Sequence, residues 1–292
     1  MPNYQLKFKV KKNIKLAPYT SFGIGGSADF FIETATQEEL IEAVKWAKKE
    51  KIKYFVLGGG SNILISDAGF RGLVIKISNI KYQISNCNIQ AEAGLLLVTL
   101  IKVAYNHSLS GLEFLAGIPG TLGGAIVGNA GAKAGNISQV VEKIRVLDKH
   151  GKIYYLYPKQ CQFDYRLSRF KHSSEIILEA VLKLKRKKQG TINLGIKKFL
   201  ALRKNQPKGR SAGCIFKNPT SSTPAGWLVD KVGLKGEKIG GALISSQHAN
   251  WIINLGNAKA TDVLRLIRLA KERVKHRFGI KLNEEIFLMG DF

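Results

Sequence analysis

The segment Gly209-Arg210-Ser211-Ala212-Gly213-Cys214-Ile215-Phe216-Lys217-Asn218-Pro219 places one thiol between a small-residue turn and an apolar pair. A thiol has a reference pKa of about 8.5, so it is a far better proton donor than an aliphatic alcohol. The Gly before Cys214 and the polar Lys217-Asn218-Pro219 turn after it suggest a strand edge facing a cleft. Standing alone, a free cysteine reads as a small core hydrophobe. Two further segments offer charged groups: Tyr165-Arg166 within FDYRLSRF, and Glu284-Glu285 within LNEEIFLMG. An arginine after an aromatic commonly covers apolar surface, and paired glutamates near a terminus are commonly solvated. Alternation along a strand would send the two carboxylates to opposite faces, so only one could reach a cleft.

Glycine supplies the second chemical signal. Four dense loops occur: Ser21 to Gly26, Gly58-Gly59-Gly60-Ser61-Asn62, Gly117-Ile118-Pro119-Gly120-Thr121-Leu122-Gly123-Gly124-Ala125, and Gly128-Asn129-Ala130-Gly131-Ala132. Without a Cβ, backbone amides can converge on an anion and hold a pyrophosphate with no charged side chain. No Gly-Lys-Ser/Thr follows any of them, and none fits G-x-G-x-x-G between a strand and a helix, so the familiar nucleotide folds are disfavoured. One such loop would be a tight turn; four in the first half of the chain imply a long, doubly phosphorylated cofactor.

Composition narrows the classes. The chain has 292 residues, 45% apolar and 23% charged, which suits a soluble multidomain protein. No window approaches the roughly 18 uninterrupted apolar residues of a membrane span, and the charge-interrupted N-terminus lacks the apolar stretch of a secretory signal. A cytoplasmic location is expected. Cys87, Cys161 and Cys214 are widely spaced with no C-x-x-C, so they read as reduced thiols, with no zinc site. A net charge of +25 raises the question of nucleic acid. Its basic residues, such as Lys7, Lys9, Lys11 and Lys12, are scattered, without stacking aromatics or motif spacing, and nucleic-acid binding is not expected.

These groups need elements to position them. Asp29–Glu33 reads as a strand, and Thr36-Gln37-Glu38-Glu39 as a capping box opening a helix to about Glu50, with Leu40, Ile41, Val44 and Ala47 on one face. Strands follow at 54–57, 73–77 and 88–93, and a helix at 95–106. The 117–125 glycine run reads as a loop or a helix entry. Residues 143–147 and 153–157 form a hairpin about Lys149-His150-Gly151, and 175–184 a further strand. A linker falls between about Lys187 and Pro207, overlapping a helix with Ile196, Phe199, Leu200 and Leu202 on one face. Helices at 225–232 and 261–278, capped by Gly279, precede a closing strand from Ile280 to Met289.

TSFGIGG, LGGGSNIL, GLEFLAGIPGTLGGAIVGNAGA, FDYRLSRF, GRSAGCIFKNP, AGWLVDKVGLKG, IGGALISSQHANWIIN and LNEEI occur in this order. Over nearly its whole length the chain resembles the UDP-N-acetylenolpyruvoylglucosamine reductases, flavoenzymes of peptidoglycan precursor synthesis. The resemblance implies an α+β fold. Two FAD-binding lobes of the vanillyl-alcohol-oxidase type would span 1–70 and 71–190, with a C-terminal α+β substrate domain over 191–292. The closing strand 280–292 is a candidate addition to the first lobe. With no room between Trp227 and Ile239 for an extra tyrosine-bearing loop, the chain is similar to the shorter subclass.

By the same resemblance, FAD is bound by Gly58, Gly59, Gly60, Ser61, Asn62, Ile118, Pro119, Gly120, Thr121, Gly123, Gly124, Ala125, Asn129 and Gly131. NADPH is the hydride donor and UDP-N-acetylglucosamine enolpyruvate the substrate, held in part by Tyr165, Lys217 and Asn218. Arg166 would stabilise charge developing on the substrate, Cys214 would donate the proton, and Glu285, directly before Ile286, would be the second catalytic polar group. Better-known members of the family carry serine where Cys214 stands, while others resemble this chain in having cysteine. A monomer is expected, with no membrane, metal or nucleic-acid partner. The alternatives are an FAD oxidase of the same fold, which would carry a His or Cys for covalent flavin attachment, and a colourless basic nucleic-acid-binding protein.

Overall fold

The computed structural model describes residues 8–132 and 135–292. Lys7 of the basic N-terminal stretch lies outside the described residues. The principal elements, in chain order, begin with β1 (Lys11–Lys15), β2 (Ser27–Thr34), α1 (Gln37–Lys49), β3 (Tyr54–Leu57), β4 (Ile63–Ile65), β5 (Phe70–Ile77), β6 (Tyr82–Ser85) and β7 (Asn88–Glu92). There follow α2 (Leu97–Asn106), α3 (Leu122–Val127), β8 (Val141–Leu147), β9 (Ile153–Leu156), β10 (Ile176–Lys183) and α4 (Gln189–Arg203). The chain closes with α5 (Ala225–Lys231), β11 (Ala242–Ile244), β12 (Ile252–Asn254), α6 (Ala260–Phe278) and β13 (Phe287–Met289). The expected α+β class is what the chain forms.

Two compact units arise, and they do not follow the three expected segments. One holds Phe31–Gly59 and Leu73–Lys204; the other holds Lys12–Phe30, Gly60–Gly72 and Asn205–Phe292. The boundary after Lys204 falls inside the linker window read from sequence.

In the first unit, β9, β8, β10, β7 and β6 form an antiparallel five-stranded sheet in that order. Its hairpin turn is closed by the Asp148 carboxylate, which accepts the N–H groups of His150 and Lys152. Leu100 of α2 and Ile126 of α3 bury fully in a core with Ile144, Val146, Ala180 and Leu182. α1 begins as expected, with Thr36 accepting the Glu39 N–H at 3.2 Å. The reciprocal bond differs: the Glu39 carboxylate takes the N–H of Ala35, one residue earlier than a capping box requires. Gln37, the first residue of α1, donates to the buried carboxylates of Glu92 and Glu179, each at 3.1 Å, and accepts from Arg145. These bonds satisfy two buried charges and anchor the start of α1 on the sheet. The strand after α1, β3, runs parallel to β5 from Tyr54↔Leu73 to Leu57↔Lys76, delivering the chain to Gly58.

In the second unit the core gathers Phe22, Leu64, Ile215, Phe216, Leu228, Ile252, Leu266, Ile267 and Ile286. α6 buries Val263, Leu266, Ile267, Ala270 and Val274 along one stripe and ends at Gly279 in the left-handed region, φ 68°. β13 pairs in parallel with β4, and β11 antiparallel with β12. The expected strand from Ile280 to Met289 is not continuous, because its partner changes: Glu285 N–H bonds to Ile215 O, whereas Phe287 N–H bonds to Asn62 O. The expected apolar face of α4 is covered only in part, with Phe199 packed against the core. Only Ile192 is buried, while Leu200 and Leu202 are exposed.

Leu266→Ala, which removes a fully buried side chain of α6, should cost about 2–5 kcal/mol. Leu202→Ala on the exposed side of α4 should stay within about 0.5 kcal/mol of the parent. Denaturant titration of the two variants measures both, and equal losses would show that Leu202 is packed.

Candidate active site

In the first unit, glycine allows two turns to lie backbone against backbone. A Cβ on Gly58 would sit 2.7 Å from Thr121 Oγ1, and one on Gly59 would sit 2.8 Å from the Gly120 Cα, closer than real side chains come. The 120–121 turn is fixed by Leu97 N–H to Gly120 O at 3.0 Å and Leu122 N–H to Leu95 O at 2.9 Å. Thr121 then caps α3, accepting the Gly124 N–H. The 117–125 run is therefore a helix entry, with Gly123 and Ala125 inside the helix. Gly123 N–H bonds to Ala93 O, so the first turn of α3 gives its donors to the chain itself. The Gly58-Gly59 and Gly120-Thr121 main chains thus form a close-packed glycine cradle, which a Cβ at 58 or 59 would disrupt.

Other glycine-loop residues serve the chain. The space of an absent Cβ is filled at Gly131 by the 135–136 backbone and, in the second unit, at Gly60 by the Tyr19 carbonyl. The Asn62 amide donates to Glu285 O at 3.3 Å. Asn129, 4% exposed and at φ 42°, uses both ends of its side chain: Nδ2 donates to Asp164 O at 2.9 Å, and Oδ1 accepts Ser138 N–H at 3.2 Å.

That bond holds the turn carrying Tyr165 and Arg166. Asp164 and Leu167 exchange both main-chain hydrogen bonds, at 3.0 and 3.1 Å, so Tyr165-Arg166 occupies the corner of a tight two-residue turn. Arg166 sits at φ 55°, a left-handed conformation that normally favours glycine. A non-glycine residue persists there only where its surroundings over-determine it. Here Asn129 holds one end and Ser168 Oγ, donating to Val127 O at 2.8 Å, holds the other. α3 thus starts at the glycine cradle and ends at the clamp on the Arg166 turn. Arg166 also stacks over the Tyr165 ring at 5.6 Å, and the turn borders a cleft of about 480 Å³.

In the second unit, Cys214 is half-buried, and its segment is not the strand edge expected. Cys214 pairs with Trp251 on one side, while on the other Phe216 pairs with Glu284 and Glu285 N–H bonds to Ile215 O at 2.7 Å. Cys214 and Glu285 therefore lie on hydrogen-bonded neighbouring segments. The Glu284 carboxylate is held by Lys271 Nζ at 2.7 Å. Lys217, partly exposed, follows on the same segment, its N–H bonded to Asn283 O. Asn218 Oδ1 accepts Ala225 N–H at 3.0 Å and so supports the start of α5. Cys161 differs from Cys214: it is fully buried, and burial pushes its thiol up to about 11. Sequence reasoning missed Asn250 and Asn254, both buried, whose side chains bond the main chain of 216 and of 22, 256 and 258. The run HANWIIN was their only signal.

Comparison with known proteins finds matches along most of the chain. Residues 28–156 match the family of FAD binding domains, and 205–289 match the C-terminal domain of UDP-N-acetylenolpyruvoylglucosamine reductase. The reductase of Caldanaerobacter subterraneus subsp. tengcongensis is 42% identical over 97% of this chain and 94% of its own. That of Synechococcus sp. is 41% identical over 99% and 94%. The crystal structure of the Thermus caldophilus enzyme superposes with a TM-score of 0.84 at 37% identity, covering 97% of this chain and all of that one.

The Asn129 clamp is testable by stability alone. Asn129→Ala loses both bonds and leaves a Cβ in the left-handed region, for an expected loss of about 2–4 kcal/mol; Asn129→Gly loses the bonds only and should fall between Ala and the parent. Thermal melts that ranked Gly no better than Ala would contradict the strained backbone.

Proposed function

The chain belongs to the UDP-N-acetylenolpyruvoylglucosamine reductase family, an FAD-containing oxidoreductase of peptidoglycan precursor synthesis, and from this we propose which of its residues carry the reaction. The substrate is UDP-N-acetylglucosamine enolpyruvate and the hydride donor NADPH. The enzyme acts as a monomer in the cytoplasm. Gly58, Gly59, Gly120 and Thr121 would hold the FAD pyrophosphate with main-chain amides. When bound, FAD supplies the hydride chemistry that no side chain provides.

Reduction of the enolpyruvyl group adds a hydride to its terminal methylene and a proton to the adjacent carbon, with negative charge spreading onto the carboxylate between the two events. Arg166 stabilises that charge: its planar guanidinium presents paired donors to a carboxylate, and its strained turn presets their direction. Cys214 donates the proton and regains one from solvent. Glu285 is the second polar group of the site, since Glu284 is held by Lys271. Tyr165, beneath the Arg166 guanidinium, limits its swing. Lys217 and the Nδ2 of Asn218 hold the substrate's polar groups. The observation that carries this assignment is the pairing of 284–285 against 215–216, which brings a carboxylate-bearing segment beside the only half-buried thiol of the second unit.

Cys214→Ala should leave reduction of bound flavin by NADPH within about twofold of the parent and slow reoxidation by substrate about a hundredfold or more, read by stopped-flow absorbance. Equal slowing of both half-reactions would remove Cys214 from the proton-donor role. Mild peroxide should inactivate the parent faster than Cys214→Ser, because buried Cys161 resists oxidation; matching inactivation rates would place the sensitive thiol elsewhere.

A further inference from the structure

Asn250 is 3% exposed and holds the peptide between the thiol and the carboxylate assigned above. After the Cys214 and Trp251 pair, the regular ladder on that side stops, and the chain bends at Ile215. The Asn250 side chain continues the pairing. Its Oδ1 accepts Phe216 N–H at 2.8 Å, its Nδ2 donates to Phe216 O at 2.8 Å, and its main-chain carbonyl accepts Ile215 N–H at 2.8 Å. Three bonds thus fall on the two residues that follow Cys214. The next link is direct: Ile215 O accepts the N–H of Glu285.

Asn250 is in turn fixed. Its N–H donates to His248 Nδ1 at 3.2 Å, which puts the ring proton on Nε2. Burial pushes His248 below the usual imidazole range, which favours this neutral acceptor. On the facing helix, Gly226 leaves room that a Cβ would take, 2.9 Å from His248 Cε1 and 3.5 Å from Asn250 Cβ. His248 and Ser245 shape the intervening turn, with Ser245 Oγ accepting the N–H groups of Gln247 and His248.

We propose that Asn250 is the positioning residue of the proton-transfer step, setting the direction of the Cys214 thiol and its spacing from Glu285. This rests on Cys214 being the proton donor. The residue type follows from the geometry. A primary amide offers a donor and an acceptor side by side, which is what pairs both polar groups of one peptide residue. A carboxylate keeps the acceptor and loses the donor, whereas a protonated carboxyl restores both.

The test is Asn250→Asp in the FAD-loaded enzyme, with Cys214→Ala as control. Flavin reduction by NADPH should stay within about twofold of the parent, while reoxidation by substrate falls about tenfold or more at pH 8.5, with little change in substrate KM. Reoxidation should recover toward the parent rate as the pH is lowered toward about 6, where a buried carboxyl regains its proton. The rate of Cys214 alkylation by iodoacetamide, followed by mass spectrometry, should shift with the same pH dependence relative to the parent. A parent-like pH profile and an unchanged alkylation rate in Asn250→Asp, with Cys214→Ala still slow, would overturn the inference alone. Fast reoxidation in Cys214→Ala would overturn the proton-donor assignment and this inference with it. Equal loss in both half-reactions without recovery at low pH would reduce Asn250 to general support and also overturn it. If Asn250→Asp fails to retain FAD, Asn250→Ser, whose hydroxyl serves one of the two partners, carries the same expected loss and the same overturning outcomes apart from the pH recovery.

Discussion

A chain that bends sharply must still pair its buried N–H and C=O groups, and here three asparagine side chains complete that pairing where regular strands give out. Asn129 ties Asp164 to the 136–138 turn, Asn250 pairs both polar groups of Phe216, and Asn254 spans Phe22, Gly256 and Ala258. Without such bonds, the segments bearing Arg166 and Cys214 would be irregular loops with unsatisfied backbone. With them, each keeps its backbone paired in conformations that a strand forbids, such as the left-handed backbone of Arg166.

The glycine cradle obeys the complementary constraint. There the need is close approach, and any Cβ at Gly58 or Gly59 would collide with Thr121 or Gly120. α3 connects the two devices within one unit, beginning at Thr121 and ending beside Asn129. A helix of six residues is short enough to transmit position with little bending.

Much of this was legible locally. The cap and apolar stripe of α1, the stripe and glycine stop of α6, and the β8/β9 hairpin all follow from spacing within a few residues. So did the residue types of the site: glycine where backbones meet, a thiol after a small-residue turn, and an arginine after an aromatic. α4 misled because periodicity states which residues share a face, and only neighbouring elements decide whether that face is covered; Leu202 lies exposed. The closing strand misled for a related reason, since a β-compatible run does not reveal that its partner changes between Glu285 and Phe287.

By itself, then, the amino-acid order determined most of the helices and the longer strands, the glycine-dense turns and the chemical groups on offer, because these depend on steric and periodic rules that act over a few residues. Tertiary structure alone decided that Asn129 holds the Arg166 turn, that Asn250 completes the Cys214 segment, and that Glu284 is held by Lys271 while Glu285 borders Ile215. Hydrogen-bond partners such as Asn250 and Phe216, 34 residues apart, meet only once the core has folded, and no local pattern records which distant peptide a buried amide will face.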